Sequence, residues 1–150
     1  MENKIDRTWD SKIKTTEELH EDAKSWLSEI YFIKDEIRFL DHLLGSNYLQ
    51  LLSSEKSKNE VKKYIFKMNY EKELLDEIIE TISTHENELG SLIKSQSVKS
   101  NPHFLERHKQ LDMLTQQFFK KYKTLKKNIF LAVEEVKRSQ KKKKLGKAAN

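Results

Sequence analysis

Histidine and carboxylate side chains are the first residues in this sequence that could do chemistry. Glu17 and His20 lie one helical turn apart, and His85 and His108 fall within two later amphipathic stretches. If the stretches pack as antiparallel helices, the three histidines come within roughly 10 Å of each other along the helix axis. Imidazole and carboxylate groups together can bind zinc, nickel or iron. These four residues are therefore a predicted metal site, and the alternative is that each histidine is only hydrogen-bonded or half-exposed.

The sequence has few residues that suit any other catalytic site. The chain has no cysteine, which excludes disulfides, thiolate metal sites and cysteine nucleophiles. Its three separated glycines cannot form a phosphate-binding loop, and it has no Gly-x-Ser-x-Gly elbow. Glu17 with His20 is the single Glu-x-x-His pair, whereas a di-iron bundle needs two such pairs. We therefore expect neither enzymatic activity nor a cofactor.

Lysine is unevenly distributed along the chain. Residues 118–150 hold twelve Lys or Arg and two Glu, a net charge of +10, although the whole chain carries +5. A second basic segment begins at Lys56, and antiparallel packing would bring it to the same pole, with acidic residues such as Glu71 at the other. Each additional lysine increases the affinity of a protein for a phosphate-rich surface. The candidate polyanion-binding residues are Lys56, Lys58, Lys62, Lys63, Lys120, Lys123, Lys127, Lys141, Lys142, Lys143 and Lys144.

Two alternatives compete with that interpretation of the basic residues. Terminal lysines can simply keep a protein soluble and bind nothing. The aromatic residues between them resemble a base-stacking platform, but Phe118 and Tyr122 fall on the buried stripe of their helix. Only Phe119 and Phe130 are left as candidates for exposed contacts.

Amphipathic helices must position all of these residues, because three Gly and one Pro are too few for a sheet protein of 150 residues. Apolar residues from Leu19 to Leu44 recur at spacings of three and four, which predicts a helix over about residues 16–53. Thr15 and Glu18 form a capping-box pattern at its start. Gly45 predicts a kink in this helix or, as the alternative, a break.

Two further helices are predicted. Ser57 and Glu60 repeat the capping-box pattern before a helix over about residues 58–95. Gly90 inside it would cost about 1 kcal/mol relative to Ala if it is exposed, and close helix packing is the alternative. Asn101 followed by Pro102 marks the start of a third helix, over about residues 102–139. Residues 140–150 lack an apolar stripe and are predicted to be a basic, flexible tail.

These elements predict an all-α fold in which residues 1–139 form an elongated, antiparallel up-down-up three-helix bundle. A four-helix bundle is the alternative if the first helix breaks at Gly45. The chain has no apolar leader and no run of about 18 apolar residues, so we expect a cytoplasmic protein without a transmembrane segment.

The absence of a sharper motif favours a non-catalytic interaction or scaffold protein that binds another protein or its own copy. Nonspecific binding of RNA, DNA or an anionic membrane through the lysine-rich pole is the alternative function. A metal-binding bundle is the third.

Overall fold

The computed structural model describes residues 14–98 and 100–149, so residues 1–13 of the predicted bundle lie outside the described part. Four helices follow one another: α1 (Thr16–Ser46), α2 (Tyr48–Leu51), α3 (Glu55–Lys94) and α4 (Pro102–Ala149). No strand occurs among the described residues, which confirms the all-α class. None of the described helices has an apolar stretch long enough to cross a bilayer.

Side-chain caps set two of the helix starts where the sequence predicts them. At α1 the Glu18 N–H donates to Thr15 Oγ1 (3.1 Å) and the Thr15 N–H donates to Glu18 Oε1 (2.8 Å). At α4 the Phe104 N–H donates to Asn101 Oδ1 at 2.9 Å. Each bond satisfies an N–H that has no partner inside its helix.

The predicted start of α3 is wrong by three residues. Ser54 rather than Ser57 is the cap, since Ser54 Oγ accepts the Ser57 N–H at 3.1 Å and the helix begins at Glu55. Both serines have the residue type that caps a helix, and the pattern of Ser57 with Glu60 is the more conspicuous of the two.

The first predicted helix is interrupted near Gly45, where a kink or a break is predicted. The interruption lies at Asn47, between α1 and the single turn of α2. The Asn47 side-chain amide donates to the Leu43 carbonyl at 2.8 Å, where it competes with the main chain for that acceptor. Asn47 therefore interrupts the helix, two residues after Gly45.

Two other predictions are corrected by the structure. Helix α4 continues to Ala149, ten residues past its predicted end at 139, because Lys, Gln, Leu and Ala are all good helix formers. Gly90 is exposed, and a Cβ placed there would meet nothing within 4 Å. The alternative of close packing at Gly90 is therefore wrong.

The chain divides into two compact units. Among the described residues, unit 1 combines 14–32 with Leu75–Phe118. Within it α1 and α4 run parallel, because the Asp22–His108 and Trp26–Asp112 hydrogen bonds both join residues 86 apart. Helices α3 and α4 are antiparallel, as shown by two hydrogen-bonded pairs: His85 with His108, and Glu88 with Arg107. One core cluster of unit 1 contains Leu19, Leu89, Val98 and Phe104.

Unit 2 combines Ile33–Leu74 with Phe119–Asn150. Its α1 and α4 segments are parallel, since Glu36 contacts Tyr122 and Phe39 contacts Phe130. Its α3 segment is antiparallel to α4, as shown by Lys56 close to Glu135 and by Glu71 and Lys121, which line the same groove. An up-down-up order is thus present in each unit considered by itself.

Candidate functional site

The two units carry net formal charges of opposite sign. The sequence of unit 2 contains 20 Lys or Arg and nine Asp or Glu, a net charge of +11, whereas unit 1 carries −6. The basic residues that the sequence predicts as one pole all belong to unit 2. Unit 2 is therefore the candidate binding unit for an anionic partner.

The two lysine-rich segments lie side by side. Lys56 Nζ of α3 is 3.9 Å from Glu135 Oε1 of α4. Lys56 and Lys143 also line one cavity of about 200 Å³, together with Ser139. The start of α3 therefore borders the last third of α4, the neighbourhood that antiparallel packing predicts.

The predicted polyanion-binding residues are available to a partner. Ten of the eleven lysines are exposed and Lys58 is half-buried. Lys120, Lys123 and Lys127 follow one another at helical spacings of three and four, so they share one side of α4. The remaining candidates continue along the two helices: Lys58, Lys62 and Lys63 on α3, and Lys141, Lys142, Lys143 and Lys144 on α4.

The aromatic residues of α4 divide between the core and the surface as the helical spacing predicts. Phe118 and Tyr122 are buried, and the Tyr122 hydroxyl donates to Glu36 Oε1 at 2.7 Å. Burial and this carboxylate both raise the pKa of Tyr122. Phe130 is 41% exposed. Phe119 is half-buried, so Phe130 presents the larger contact surface.

A groove between α3 and α4 in unit 2 carries a second group of polar residues. It encloses about 530 Å³, and we call it the Glu71 groove. Phe66 and Tyr70 line it with 74% and 59% of their surface exposed. The cations that line it are Lys67, Lys120 and Lys121.

Glu71 is the unusual residue of this groove. Its side chain is buried, with 6% exposure, and its Oε1 has no hydrogen-bond partner within the described chain. Burial raises the pKa of the Glu71 carboxyl, and the positive charge of Lys121 opposes that shift. A buried acceptor without a donor is energetically costly, so this atom is a candidate contact for a ligand.

Sequence reasoning missed this residue, because it assigns Glu71 to the acidic pole opposite the lysines, whereas Glu71 lies in the basic unit 2 beside Lys121. The signal is nevertheless present: position 71 falls between Met68 and Leu75 at spacings of three and four. Both neighbours are buried. A carboxylate on an apolar stripe is the pattern that identifies such a site.

Unit 1 contains a chain of hydrogen bonds, buried at its two histidines and part-buried at Asp22, that joins all three long helices. Asp22 Oδ2 of α1 lies 2.9 Å from His108 Nε2 of α4, and His108 Nδ1 lies 2.8 Å from His85 Nε2 of α3. Lys14 Nζ donates to the same Asp22 oxygen at 2.8 Å. We call Asp22, His108 and His85 the histidine network.

The order of donors in the histidine network follows from the ionised carboxylate of Asp22, which can only accept. His108 therefore donates from Nε2, and its Nδ1 accepts a hydrogen bond from His85 Nε2. Burial, followed by the neighbouring His108, lowers the pKa of His85 to about 4. Burial also lowers the pKa of His108, although the hydrogen bond to Asp22 opposes this. Both rings are thus held neutral near pH 7.

The four predicted metal ligands take separate roles. His85 Nε2 and His108 Nδ1 are joined by a direct hydrogen bond of 2.8 Å, which uses the nitrogen lone pair that a metal ion between the two rings would need. His20 Nδ1 instead faces Glu86 Oε2 at 3.1 Å, and Glu17 is exposed. Across residues 14–98 and 100–149, no group of three or more potential ligands could hold a metal ion. This arrangement gives the metal hypothesis no support.

Comparison of the chain with protein-family models, with curated proteins and with solved structures finds no match in any of the three.

Proposed function

We propose that this chain is a non-catalytic binding protein that binds nucleic acid through the exposed lysines of α3 and α4 in unit 2. The net charge of +11 on that unit is the observation that carries the proposal. The charge concentrates where the start of α3 and the end of α4 adjoin, at the contact of Lys56 with Glu135. This geometry favours polyanion binding over the more general interaction function.

The type of basic residue indicates the mode of binding. The 29 basic residues of the chain include four arginines: Arg7, Arg38, Arg107 and Arg138. Lysine is a compact point charge that neutralises phosphate, whereas arginine supplies the planar, bidentate contacts that distinguish bases. Binding through this surface is therefore expected to be driven by counterion release and to depend little on sequence.

The direct test is a fluorescence anisotropy titration with labelled single-stranded RNA at low salt. Replacing Lys120, Lys123 and Lys127 together by Glu should weaken binding on the order of a hundredfold, because three phosphate contacts become repulsive. Lys24→Glu is the matched control, since Lys24 is an exposed lysine of unit 1. Equal affinity of wild type and the triple variant would overturn the proposal. So would binding to anionic vesicles with none to RNA.

Self-association is the second candidate function, and one surface observation favours it. Phe39 and Phe130 contact each other in unit 2, with ring centroids 6.2 Å apart, while 52% and 41% of their surfaces are exposed. Unit 2 of one copy and the −6 unit 1 of another would also attract electrostatically. Light scattering should then detect a dimer or larger assembly that Phe39→Ser weakens and added salt dissociates. A monomer at every salt concentration would remove this candidate.

A further inference from the structure

The Glu71 groove combines three chemistries that nonspecific phosphate binding does not need. It holds a buried carboxylate oxygen without a donor, two exposed aromatic rings and several cationic side chains. The rings belong to Phe66 and Tyr70, which are one helical turn apart on α3 and hence neighbours. A ligand that satisfies all three must offer a hydrogen-bond donor, a flat apolar face and negative charge.

A nucleotide has this combination of groups. Bases stack on aromatic side chains, their edges donate hydrogen bonds, and the phosphates carry the charge. A cavity of about 530 Å³ also falls in the size range of sites that hold small ligands. We propose that the Glu71 groove binds one guanine base of a single-stranded nucleic acid. This inference rests on the nucleic-acid binding proposed above.

Each group of side chains in the groove contacts one part of the nucleotide. The base stacks against Phe66 or Tyr70, and its Watson–Crick edge donates to the Glu71 carboxylate, which lines the groove and whose Oε1 lacks a partner within the described chain. The flanking phosphates contact the cationic residues Lys67, Lys120 and Lys121. Lys121 also lies close enough to Glu71 to offset the repulsion between that carboxylate and the phosphates.

Guanine is favoured by the pattern of donors on its edge. Its ring N–H and its exocyclic amino group are adjacent donors, so a carboxylate can accept from both, and the O6 carbonyl lies on the far side of the ring N–H. Cytosine and adenine place an acceptor nitrogen beside their amino group, and uracil places a carbonyl on each side of its ring N–H. Those neighbouring acceptors repel Glu71.

The test compares two labelled oligouridines of about eight nucleotides, a length that one small site can engage. They are identical except for one central guanine, and anisotropy measures both affinities. We expect the guanine oligonucleotide to bind on the order of tenfold more tightly to wild type. Inosine, which keeps the ring N–H and lacks the amino group, should give an intermediate affinity.

Variants separate the base contact from the charge contact. Glu71→Gln and Glu71→Leu should both remove the guanine preference while binding to oligouridine persists. The leucine variant places an apolar side chain on the buried stripe, so it controls against loss of folding. Tyr70→Ala should weaken binding to both oligonucleotides, whereas Tyr31→Ala, which changes an exposed aromatic residue outside the groove, should leave both affinities unchanged.

The possible failures are distinguishable. Tight binding of both oligonucleotides without a guanine preference, or a preference that survives in Glu71→Leu, would overturn the inference and leave the proposed function intact. Absence of binding to any oligonucleotide would remove the proposed function as well. Self-association that Phe66→Ala abolishes, without nucleic-acid binding, would assign the groove to a second copy of the chain and overturn the inference.

Discussion

Acidification should destabilise this protein through the histidine network well before most carboxylates are protonated. Burial lowers the pKa of folded His85 to about 4, from an ordinary value near 6.5. Between these two values the unfolded chain binds a proton that the folded chain does not. Stability therefore falls as the pH decreases through this window, and it is fully retained above it.

The magnitude follows from the size of the shift. One pKa unit corresponds to about 1.4 kcal/mol, so His85 alone accounts for about 3 kcal/mol lost by pH 4 and about 2 kcal/mol by pH 5. The pKa of His108 shifts in the same direction and adds to the loss. The charges that bear on the two rings come from every packed helix: Lys14 and Asp22 on the α1 side, Glu88 on α3, and Arg107 and Asp112 on α4.

Urea unfolding at several values between about pH 7 and about pH 5 measures this loss. Circular dichroism follows the helices, and fluorescence in a Trp9→Phe background reports on Trp26, whose indole centroid is 4.7 Å from the ring centroid of His108. His85→Phe should flatten the pH dependence, at a cost of about 1 to 3 kcal/mol at neutral pH because His108 loses its donor.

His103→Ala removes an exposed histidine and serves as the matched control. It should retain the pH dependence of wild type. A free energy of unfolding that stays constant within about 0.5 kcal/mol over this range, or an equal slope in His85→Phe, would refute the reasoning.

Two further predictions concern stability. Gly90→Ala should raise the free energy of unfolding by about 0.5 to 1 kcal/mol, because the position is helical and open; a decrease on thermal denaturation would show a packing role for Gly90. Ile33→Ala and Leu75→Ala should each lower the free energy of unfolding by about 2 to 5 kcal/mol, because both side chains are buried, with exposures of 3% and 2%. A decrease below about 0.5 kcal/mol in urea titration would contradict that assignment.

The helices could be predicted from the sequence because their signals are local. Apolar spacing identifies the buried stripe of α1, and the caps at Thr15 and Asn101 mark the starts of α1 and α4. The predicted end of α4 is too early because it relies on an apolar stripe, whereas residues 140–149 are helical without one. Intrinsic helix propensity is the contribution that this prediction leaves out.

The polar sites were harder to predict because they depend on register between helices. The sequence places His108 and His85 at neighbouring levels but cannot show that they bond to each other rather than to a metal. Glu71 is predicted at the acidic pole, although its spacing from Met68 already favours burial. Whether a polar side chain on an apolar stripe finds a partner depends on the opposite helix, which local patterns do not reveal.

The most direct test of nucleic-acid binding by unit 2 is the salt dependence of its affinity for single-stranded RNA. Wild type and a chain lacking residues 139–150, which contain five of the 25 lysines, are titrated by anisotropy between about 50 mM and about 200 mM salt. Log affinity should fall linearly with log salt concentration in wild type. Truncation should make that slope shallower by about 0.7 for each phosphate that no longer has a lysine beside it. Absence of binding at low salt, or equal slopes for the two chains, would contradict the assignment of this surface to polyanion binding.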